Sequence, residues 1–359
     1  MSKIATTPFA TAPTYREVAR YATVTCQSDP LNGSKQGAVF GLAPPANLCA
    51  DGVHGCCSRA ESIAGVSGGH QPINLSGNHP SYTAVDVNGD AWVVNAAYNL
   101  QSSVTKIANS LGACVERNGI PGIQTSSDVN GDGIIDTDCN NDGVPDDAST
   151  ICNPGRPREF WGLDDECILF TVNTGATNQW GRALALGPGT TDTAPADAWA
   201  ATYRDGKFYR IDGTSGAIKT TVTIAAQAGV ASNPFGAVID QFGILWTPNF
   251  GHCAGSGCLF YFDTNNPASQ GMATSAIAGG GFYGIAIDGF KIGSNLIQQV
   301  WMGELGATGF GAYRYRPVRN AGFAGIKNGT WALGHVTGTG QLTQGSGVAV
   351  DNRMCLGRT

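Results

Sequence analysis

Residues 126–147, SSDVNGDGIIDTDCNNDGVPDD, concentrate acidic and amide side chains with glycines placed between them. The stretch repeats with a period of ten residues, because the pattern D-x-N-x-D-G-x-x-D begins at Asp128 and again at Asp138. Side-chain oxygens at positions 1, 3, 5 and 9, a glycine at position 6 for the sharp turn, and a backbone carbonyl at position 7 form the ligand pattern of a calcium loop. A ligand set of oxygens alone favours Ca²⁺ over zinc or copper. The sequence therefore predicts a site for two or more Ca²⁺ ions.

The predicted calcium ligands are side-chain oxygens, except at position 7, where a backbone carbonyl serves. They are Asp128, Asn130, Asp132, Ile134, Asp136, Asp138, Asn140, Asp142, Val144, Asp146 and Asp147. The site is not an EF-hand, because position 12 of the first loop is Cys139 instead of a bidentate Glu and no helix pattern flanks it. The alternative, a solvated acidic loop without an ion, does not explain why Gly and Asn stay in phase. No nucleophile or base lies beside the loops, so the site is predicted to be structural.

The tandem ten-residue spacing resembles the aspartate-rich calcium repeats of thrombospondin type 3 modules over residues 128–147. The resemblance implies that successive loops share acidic residues and enclose calcium with little hydrophobic core. Calcium would then convert a self-repelling acidic loop into an ordered one.

Eleven cysteines in a chain without zinc-finger spacing indicate disulfides and an oxidising compartment. The predicted pairs are Cys114–Cys167 at the two roots of the acidic insertion, Cys139–Cys152 around its second loop, and Cys253–Cys258 at a hairpin tip. For the last pair a zinc site that includes His252 is the alternative, although it lacks a fourth ligand. A Cys26–Cys355 bond is a further candidate, and the odd count leaves at least one cysteine free or bonded to another chain.

The elements that must position these residues come from an internal repeat. An alternating apolar strand, a turn with Gly or Asn, and a second strand recur in phase, and the second strand carries Trp92, Trp199, Trp246 or Trp301 in four of the copies. The copies are 82–95, 235–249, 283–304 and 345–357, with a degenerate copy at 181–202. Further strand patterns follow each Trp. Four short strands repeated about every 45 to 65 residues are typical of β-propeller blades, in which the Trp fills the space between neighbours.

The sequence thus predicts an all-β fold, a single β-propeller domain of about six four-stranded blades over residues 1–359. In the first blade the strands are expected at 82–86, 90–95 and 103–108, with 166–174 as the fourth. The calcium-binding insertion, 115–165, then lies between the third and fourth strands. The last repeat stops part-way through a blade, so a strand at 17–25 is expected to complete the ring. A β-sandwich with accidental Trp spacing is the alternative fold.

Composition excludes several classes of protein. Charged residues are 13% of the chain, about half the usual share of roughly 25%. The 42% hydrophobic content argues against disorder, and a net charge of −6 without a basic run argues against a nucleic-acid partner. No apolar run is long enough for a transmembrane helix, and the first residues do not resemble a signal peptide. The cysteines favour the mature form of a secreted protein, extracellular or periplasmic, over a cytosolic one.

Propellers bind ligands where inner strands and their loops converge at the channel mouth. The equivalent positions, at the start of each inner strand and three residues after each Trp, supply the predicted ligand-binding residues. They are Tyr82, Asn95, Arg182, Phe235, Asn249, Tyr283 and Glu304. Such a mixture of aromatic and polar groups suits a sugar, a peptide or a polar small molecule. The alternative is that these side chains only satisfy turns and pack loops.

The repeat, with its GIAID…W strands, resembles streptogramin B (virginiamycin B) lyase and related NHL-like propellers. The resemblance implies a propeller fold, a His before each inner-strand Gly, and a Glu shortly after the blade aromatic. Here the residues before Gly236 and Gly284 are Phe235 and Tyr283, and only Glu304 keeps the acidic place. The missing His argues against lyase chemistry, which needs a base within hydrogen-bond reach.

The function expected from the sequence is that of a secreted or surface-exposed, calcium-stabilised β-propeller acting as a binding or structural module. Other copies of the chain, in an extracellular or filament assembly, and cell-surface components are the expected partners. The alternative is a lyase or hydrolase with Glu304 at the channel mouth.

Overall fold

The computed structural model describes residues 80–132, 135–143, 146, 149–187, 195–250, 253, 256–278, 281–292, 295–305 and 312–334. Within these residues, the strands form four four-stranded sheets, and in each sheet the strands that are consecutive in sequence are hydrogen-bonded neighbours. Four meanders of four strands are a β-propeller-like arrangement.

The strand bounds follow the repeat. The first blade contains β1 (Pro80–Val85), β2 (Ala91–Asn95), β3 (Gln101–Ile107) and β4 (Ile168–Thr177). The second contains β5 (Gly181–Leu186), β6 (Ala198–Thr202), β7 (Lys207–Ile211) and β8 (Ile218–Thr223). The third contains β9 (Val238–Ile239), β10 (Ile244–Pro248), β11 (Ser256–Asp263) and β12 (Gln270–Ala278), and the fourth β13 (Gly281–Ile292), β14 (Asn295–Leu305), β15 (Ala312–Arg316) and β16 (Thr330–Gly334). A short helix, α1 (Gly322–Gly325), precedes β16. No helix in the described ranges is long and apolar enough to cross a membrane.

The expectation of about six blades is wrong, because the described residues form four. The prediction counted additional blades at the two ends of the chain. The strand expected at 17–25 and the repeat copy at 345–357 both lie outside the described residues. Each of the four described repeat copies corresponds to one blade. In the first blade the fourth strand, expected at 166–174, is β4, and it pairs with β3 across the long insertion.

The chain forms two compact units, and the blades divide between them. The first unit holds β1–β4 with the insertion, and the second holds almost all of the other three blades. In the second unit the predicted role of Trp between blades is observed. Trp199 of the second blade meets Phe262 of the third at 5.2 Å between ring centroids, and Trp246 of the third meets Tyr315 of the fourth at 6.0 Å.

An Asp, buried in two blades and half-buried in a third, holds the first hairpin by accepting the indole N–H of the blade Trp. Trp92 Nε1 donates to Asp86 at 3.1 Å, and Trp246 Nε1 donates to Asp240 at 2.9 Å. In both, the other carboxylate oxygen accepts two amides of the β-turn. The fourth blade has the same bond from Trp301 at 2.8 Å, over a longer sequence separation because β13 and β14 extend further.

A cation completes this arrangement in the first blade. Lys106 lies opposite Trp92 in the β2–β3 register, 5.2 Å from its ring centroid, and is almost fully buried. Its ammonium contacts Asp86 at 3.0 Å and Asp90 at 3.2 Å. Burial raises the pKa of Asp90, and the charge of Asp86 raises it further, while Lys106 opposes both effects. The buried carboxylates therefore depend on the lysine for charge balance.

The other blades supply the cation in related ways. Arg210 lies opposite Trp199 and Arg314 opposite Trp301, each 5.8 Å from the ring centroid. In the third blade an aromatic residue occupies that register position, and Arg319 reaches the buried Asp240 from beyond β15. A cation therefore lies beside the blade Trp even in the third blade, where the residue opposite the Trp is aromatic.

We expect Asp240→Ala to lower the free energy of unfolding by about 3 kcal/mol, because Trp246 and Arg319 lose their shared buried acceptor. Urea unfolding followed by tryptophan fluorescence measures the change. The control is Asp263→Ala, which removes a turn bond to the exposed Asn265 and should cost about 1 kcal/mol or less. Equal losses in the two variants would contradict the role assigned to the buried carboxylate.

Candidate functional site

The insertion between β3 and β4 is tied to its blade by a disulfide at its roots. Cys114 and Cys167 are bonded, with 4.3 Å between their Cα atoms. A second bond joins Cys139 and Cys152 around the second acidic loop. Both pairs agree with the sequence prediction, and a disulfide restricts the loops that it closes in the unfolded chain.

Several carboxylates at the roots and inside this segment are buried and accept backbone amides. Glu166 accepts the amides of Arg117 and Gln124 at 2.9 and 2.8 Å. Burial by itself raises the pKa of Glu166, but the N–H donors outweigh that effect, so its pKa lies below its usual value. Asp165 accepts the amide of Ser126 at 2.8 Å. Backbone N–H groups thus stabilise charges that burial would otherwise disfavour.

Glu159 organises the first acidic loop from 23 to 30 residues away. It is 1% exposed. One carboxylate oxygen accepts the amides of Val129 and Asn130 at 3.0 and 2.9 Å, and the other accepts the amide of Asp136 at 2.9 Å. The sequence analysis missed this residue, since it lies outside the ten-residue pattern.

The two acidic loops have the same local geometry. In the first, the amide of Asp132 donates to Asp128 Oδ1 at 3.1 Å and to Asn130 Oδ1 at 2.8 Å. In the second, the amide of Asp142 donates to Asp138 Oδ1 and Asn140 Oδ1, both at 3.1 Å. Two oxygens that share one donor lie close together, so each loop gathers the oxygens of positions 1 and 3.

The backbone of the loops also repeats. Gly131 and Asn141, at position 4 of the two loops, both have left-handed φ values, of 76° and 58°. Gly143, at position 6 of the second loop, has a φ of 81°. Asn and Gly are the residues that adopt this conformation most easily. Their phase in the sequence therefore has a conformational cause, independent of any ion.

Asp146 provides the test of whether a cation fits these residues. Its side chain is 2% exposed, Oδ2 accepts the Cys139 amide at 3.0 Å, and Oδ1 has no hydrogen-bond partner among the described residues. Burial raises the pKa of Asp146, and the charges of Asp138 and Asp136 raise it further, against the Cys139 amide and Arg158. A buried carboxylate oxygen without a donor, beside other carboxylates, is a fitting ligand for a hard cation.

Other observations limit the ligand set. Arg156 forms an ion pair with Asp136, so its positive charge already offsets the negative charge of this predicted ligand. The Sγ atoms of Cys139 and Cys152 lie within 4.8 Å of a carboxylate oxygen of Asp146, but their disulfide removes them as thiolate ligands. The remaining predicted ligands, Ile134, Val144 and Asp147, lie outside the described residues.

A second group of predicted residues meets in the second unit. Arg182, Phe235 and Tyr283, which occupy equivalent positions of three repeats, are neighbours: the guanidinium of Arg182 lies 4.7 Å from the Phe235 ring centroid, and the rings of Phe235 and Tyr283 are 3.9 Å apart. Tyr203 and Phe250 join them, at 5.7 and 5.2 Å from Phe235. We call these five residues the aromatic–arginine cluster.

Tyr203 and Phe250 were not predicted as ligand-binding residues. Each lies four residues after a blade Trp, Trp199 or Trp246, so a shift of one position in the sequence comparison would have found them. Burial raises the pKa of Tyr203, while the charges of Arg182 and the exposed Arg204 lower it.

Three other predicted ligand-binding residues are buried or half-buried, and each has a partner in its own part of the fold. Asn95 and Asn249 are buried: Asn95 donates to Ser103, and Asn249 accepts the amide of Asn233. Tyr82 is half-buried and paired with Val94 in the first unit.

The last predicted residues lie near the third and fourth blades or towards the ends of the chain. Glu304 pairs with Phe282 in the β13–β14 register, and its side chain lies outside the described residues. Cys253 and Cys258 are bonded, so they cannot serve the alternative zinc site, and His252 lies outside the described residues. Cys26 and Cys355, the further candidate pair, also lie outside the described residues.

A scan against protein-family models and a search of curated proteins both find no match to this chain. The resemblances to streptogramin B lyase and to thrombospondin type 3 repeats therefore rest on the residues alone.

We expect Glu159→Gln to loosen the first acidic loop, because the amide group replaces one of its acceptor oxygens with a donor. Hydrogen exchange at Val129, Asn130 and Asp136 should become about ten-fold faster or more, in line with an unsatisfied buried group costing about 1–3 kcal/mol.

The matched control for this loop is Glu116→Gln. Its exposed carboxylate accepts the amides of Asn118 and Gly119, so the same substitution should leave exchange at residues 129–136 unchanged. Unaltered exchange in the Glu159→Gln variant would refute the organising role of Glu159.

Proposed function

We propose that this protein is a calcium-stabilised β-propeller that works outside the cytoplasm as a binding or structural module. The observation that carries the calcium proposal is the repeated hydrogen-bond geometry of the two acidic loops, together with the unpartnered buried oxygen of Asp146. In both loops the oxygens of positions 1 and 3 lie close together, which is the arrangement that a hard cation with oxygen ligands needs.

Each loop would hold its ion mainly with its own residues, and Asp138 would also complete the shell of the first. In the first loop these are the side chains of Asp128, Asn130, Asp132 and Asp136, with the carbonyl of Ile134. In the second they are the side chains of Asp138, Asn140, Asp142 and Asp146, with the carbonyl of Val144 and with Asp147 completing the shell. Bound Ca²⁺ supplies positive charge that offsets the repulsion among these carboxylates. The protein contributes their positions, which Glu159 and the Cys139–Cys152 bond restrict.

Three disulfides among the described residues support a location outside the cytoplasm. Thiols are kept reduced in most cytosols, whereas disulfides persist in secreted and periplasmic proteins. Extracellular calcium concentrations also suit weak, exposed calcium modules. The two features are therefore consistent with one compartment.

The binding role is supported by the aromatic–arginine cluster, where inner-strand positions of three repeats converge. The lyase alternative has less support, since the positions that would hold His in that resemblance are Phe235 and Tyr283, in contact with each other. Self-assembly remains part of the proposal through the edge strand β8, whose residues are mostly exposed. Lys219 on that edge is paired with Asp197, and a charged side chain on an edge strand opposes uncontrolled strand pairing.

Calcium removal tests the proposal. We expect a chelator to lower the melting temperature, because an ion bound only by the folded chain adds about 2.7 kcal/mol at a concentration one hundred times its Kd. Calorimetric titration should show two or more Ca²⁺ ions per chain. Sedimentation of the same samples reports any assembly.

Two variants separate the loop from the rest of the insertion. The test variant replaces two acids of the second loop by amides, and the control replaces one acid outside the loops. Asp138→Asn with Asp142→Asn should remove binding in the second loop, whereas Asp164→Asn, at an exposed acid of the same insertion, should keep both the stoichiometry and the calcium response. Identical melting curves with calcium and with chelator would refute the calcium assignment.

A further inference from the structure

We propose that the two acidic loops are unequal calcium sites, and that the Cys139–Cys152 disulfide makes the second loop the tighter one. The inference rests on the calcium binding proposed above and adds its regulation, because the state of the disulfide sets the occupancy of the second loop. The two loops share one local hydrogen-bond pattern, so a difference in affinity must come from what surrounds them.

A short segment, residues 152–153, holds the start of the second loop. The disulfide joins it to Cys139, which is fully buried at position 2. The backbone amide of Asn153 donates to the carbonyl of Cys139 at 3.2 Å, and its side-chain amide donates to the carbonyl of Asn140 at 2.7 Å. The amide of Cys139 in turn donates to Asp146 Oδ2 at 3.0 Å. One covalent bond and three hydrogen bonds therefore hold positions 2, 3 and 9 together.

The first loop is held differently. Residues 128–136 contain no cysteine, and Glu159 holds them through hydrogen bonds to three backbone amides. A covalent link restricts a loop before the ion arrives, so less conformational freedom is lost on binding. The second loop is therefore the better preorganised of the two.

Equivalent ligands are also more deeply buried in the second loop. Position 1 is half-buried at Asp128 but 6% exposed at Asp138. Position 9 is half-buried at Asp136 but 2% exposed at Asp146. Opposite charges attract more strongly where water is excluded. Asp146 Oδ1, which has no hydrogen-bond partner among the described residues, also gives up no bond when it binds an ion.

A cation of the protein competes with calcium at the first loop. Arg156 forms an ion pair with Asp136, so an ion in that loop shares position 9 with a guanidinium group. The same guanidinium contacts Asn141 of the second loop, which is at position 4 and is not a predicted ligand. Arg158 lowers the pKa of Asp146, but burial raises it by more, so the second loop keeps a carboxylate that favours an added positive charge.

The coupling between the disulfide and the ion acts in both directions. If the disulfide strengthens calcium binding, bound calcium stabilises the disulfide against reduction by the same factor. Cys152 is half-buried whereas Cys139 is fully buried, so we expect a dithiol to attack the sulfur of Cys152 and release Cys139 as the thiolate. The second thiol of the reagent then completes the exchange, and two electrons and two protons pass from the dithiol to the cysteines.

Calorimetric titration of Ca²⁺ into the calcium-free full chain tests the inequality. We expect two phases whose Kd values differ by about ten-fold or more. Asp142→Asn should remove the tighter phase, and Asp132→Asn should remove the weaker one. The two acids are matched, since both are exposed at position 5 of their loops. Melting curves show that each sample is folded at the temperature of the titration.

A pair of double variants tests the disulfide. Cys139→Ser with Cys152→Ser should weaken the tighter phase by about ten-fold or more and leave the weaker phase unchanged. The control, Cys253→Ser with Cys258→Ser, removes a buried disulfide from the second unit and should change neither Kd.

A further measurement needs no variant. The unmodified chain is treated with dithiothreitol in the presence of calcium or of a chelator, and alkylation with peptide mass spectrometry follows each disulfide. Calcium should slow the reduction of Cys139–Cys152 by about ten-fold or more. The internal reference is Cys253–Cys258, whose rate of reduction should not change.

Three outcomes would overturn this inference alone and leave the calcium proposal in place. They are two ions bound with equal Kd values, a tighter phase that is lost in Asp132→Asn instead of Asp142→Asn, and a tighter Kd that is unchanged without the Cys139–Cys152 bond. Reduction of that bond at the same rate with and without calcium would contradict the coupling. A folded chain that binds no calcium in the titration would refute both proposals.

Discussion

The interaction that recurs in three of the four described blades is a carboxylate that accepts a tryptophan N–H, and in two of them the same carboxylate is buried and holds a turn. Asp86 and Asp240 each accept an indole proton on one oxygen and two turn amides on the other. A buried charge is unfavourable unless it is paired and hydrogen-bonded, and Lys106 or Arg319 supplies the missing charge. One side chain therefore links the turn, the second strand and a cation, and the blade Trp is held in the orientation that the neighbouring packing requires.

The insertion also uses buried carboxylates to hold its backbone in place. Glu159 and Glu166 are buried and accept backbone amides from distant parts of the segment. Glu166 and Asp146 differ in a way that has chemical meaning: N–H donors hold the pKa of Glu166 below its usual value, while burial and neighbouring acids raise that of Asp146. A carboxylate with all its donors in place is a structural element, whereas one with an unpartnered oxygen beside other acids is suited to a cation.

Part of the fold and of the site could be predicted because the signals were local or repeated. The four strands of the first blade, including β4 beyond a long insertion, followed from alternating apolar residues. The Cys114–Cys167 pair followed from that topology. The blade count was overestimated, since strand patterns at the chain ends were added to make a closed ring. Glu159, Tyr203 and Phe250 were missed, because their roles depend on contacts between residues far apart in sequence or one place out of phase.

The sequence by itself determined the repeat unit, the Asp–Trp spacing and the phased acidic loops, all of which depend on neighbours within about ten residues. Local physics is sufficient there: the period of a strand, the left-handed preference of Gly and Asn, and the reach of an Asp side chain to its own turn. Tertiary structure decided which of the equivalent polar positions stay buried, as Asn95 and Asn249 do, and which lie half-open, as Arg182 and Tyr283 do. That outcome depends on contacts between residues far apart in sequence, and burial by such contacts leaves no signature in the residues that they cover.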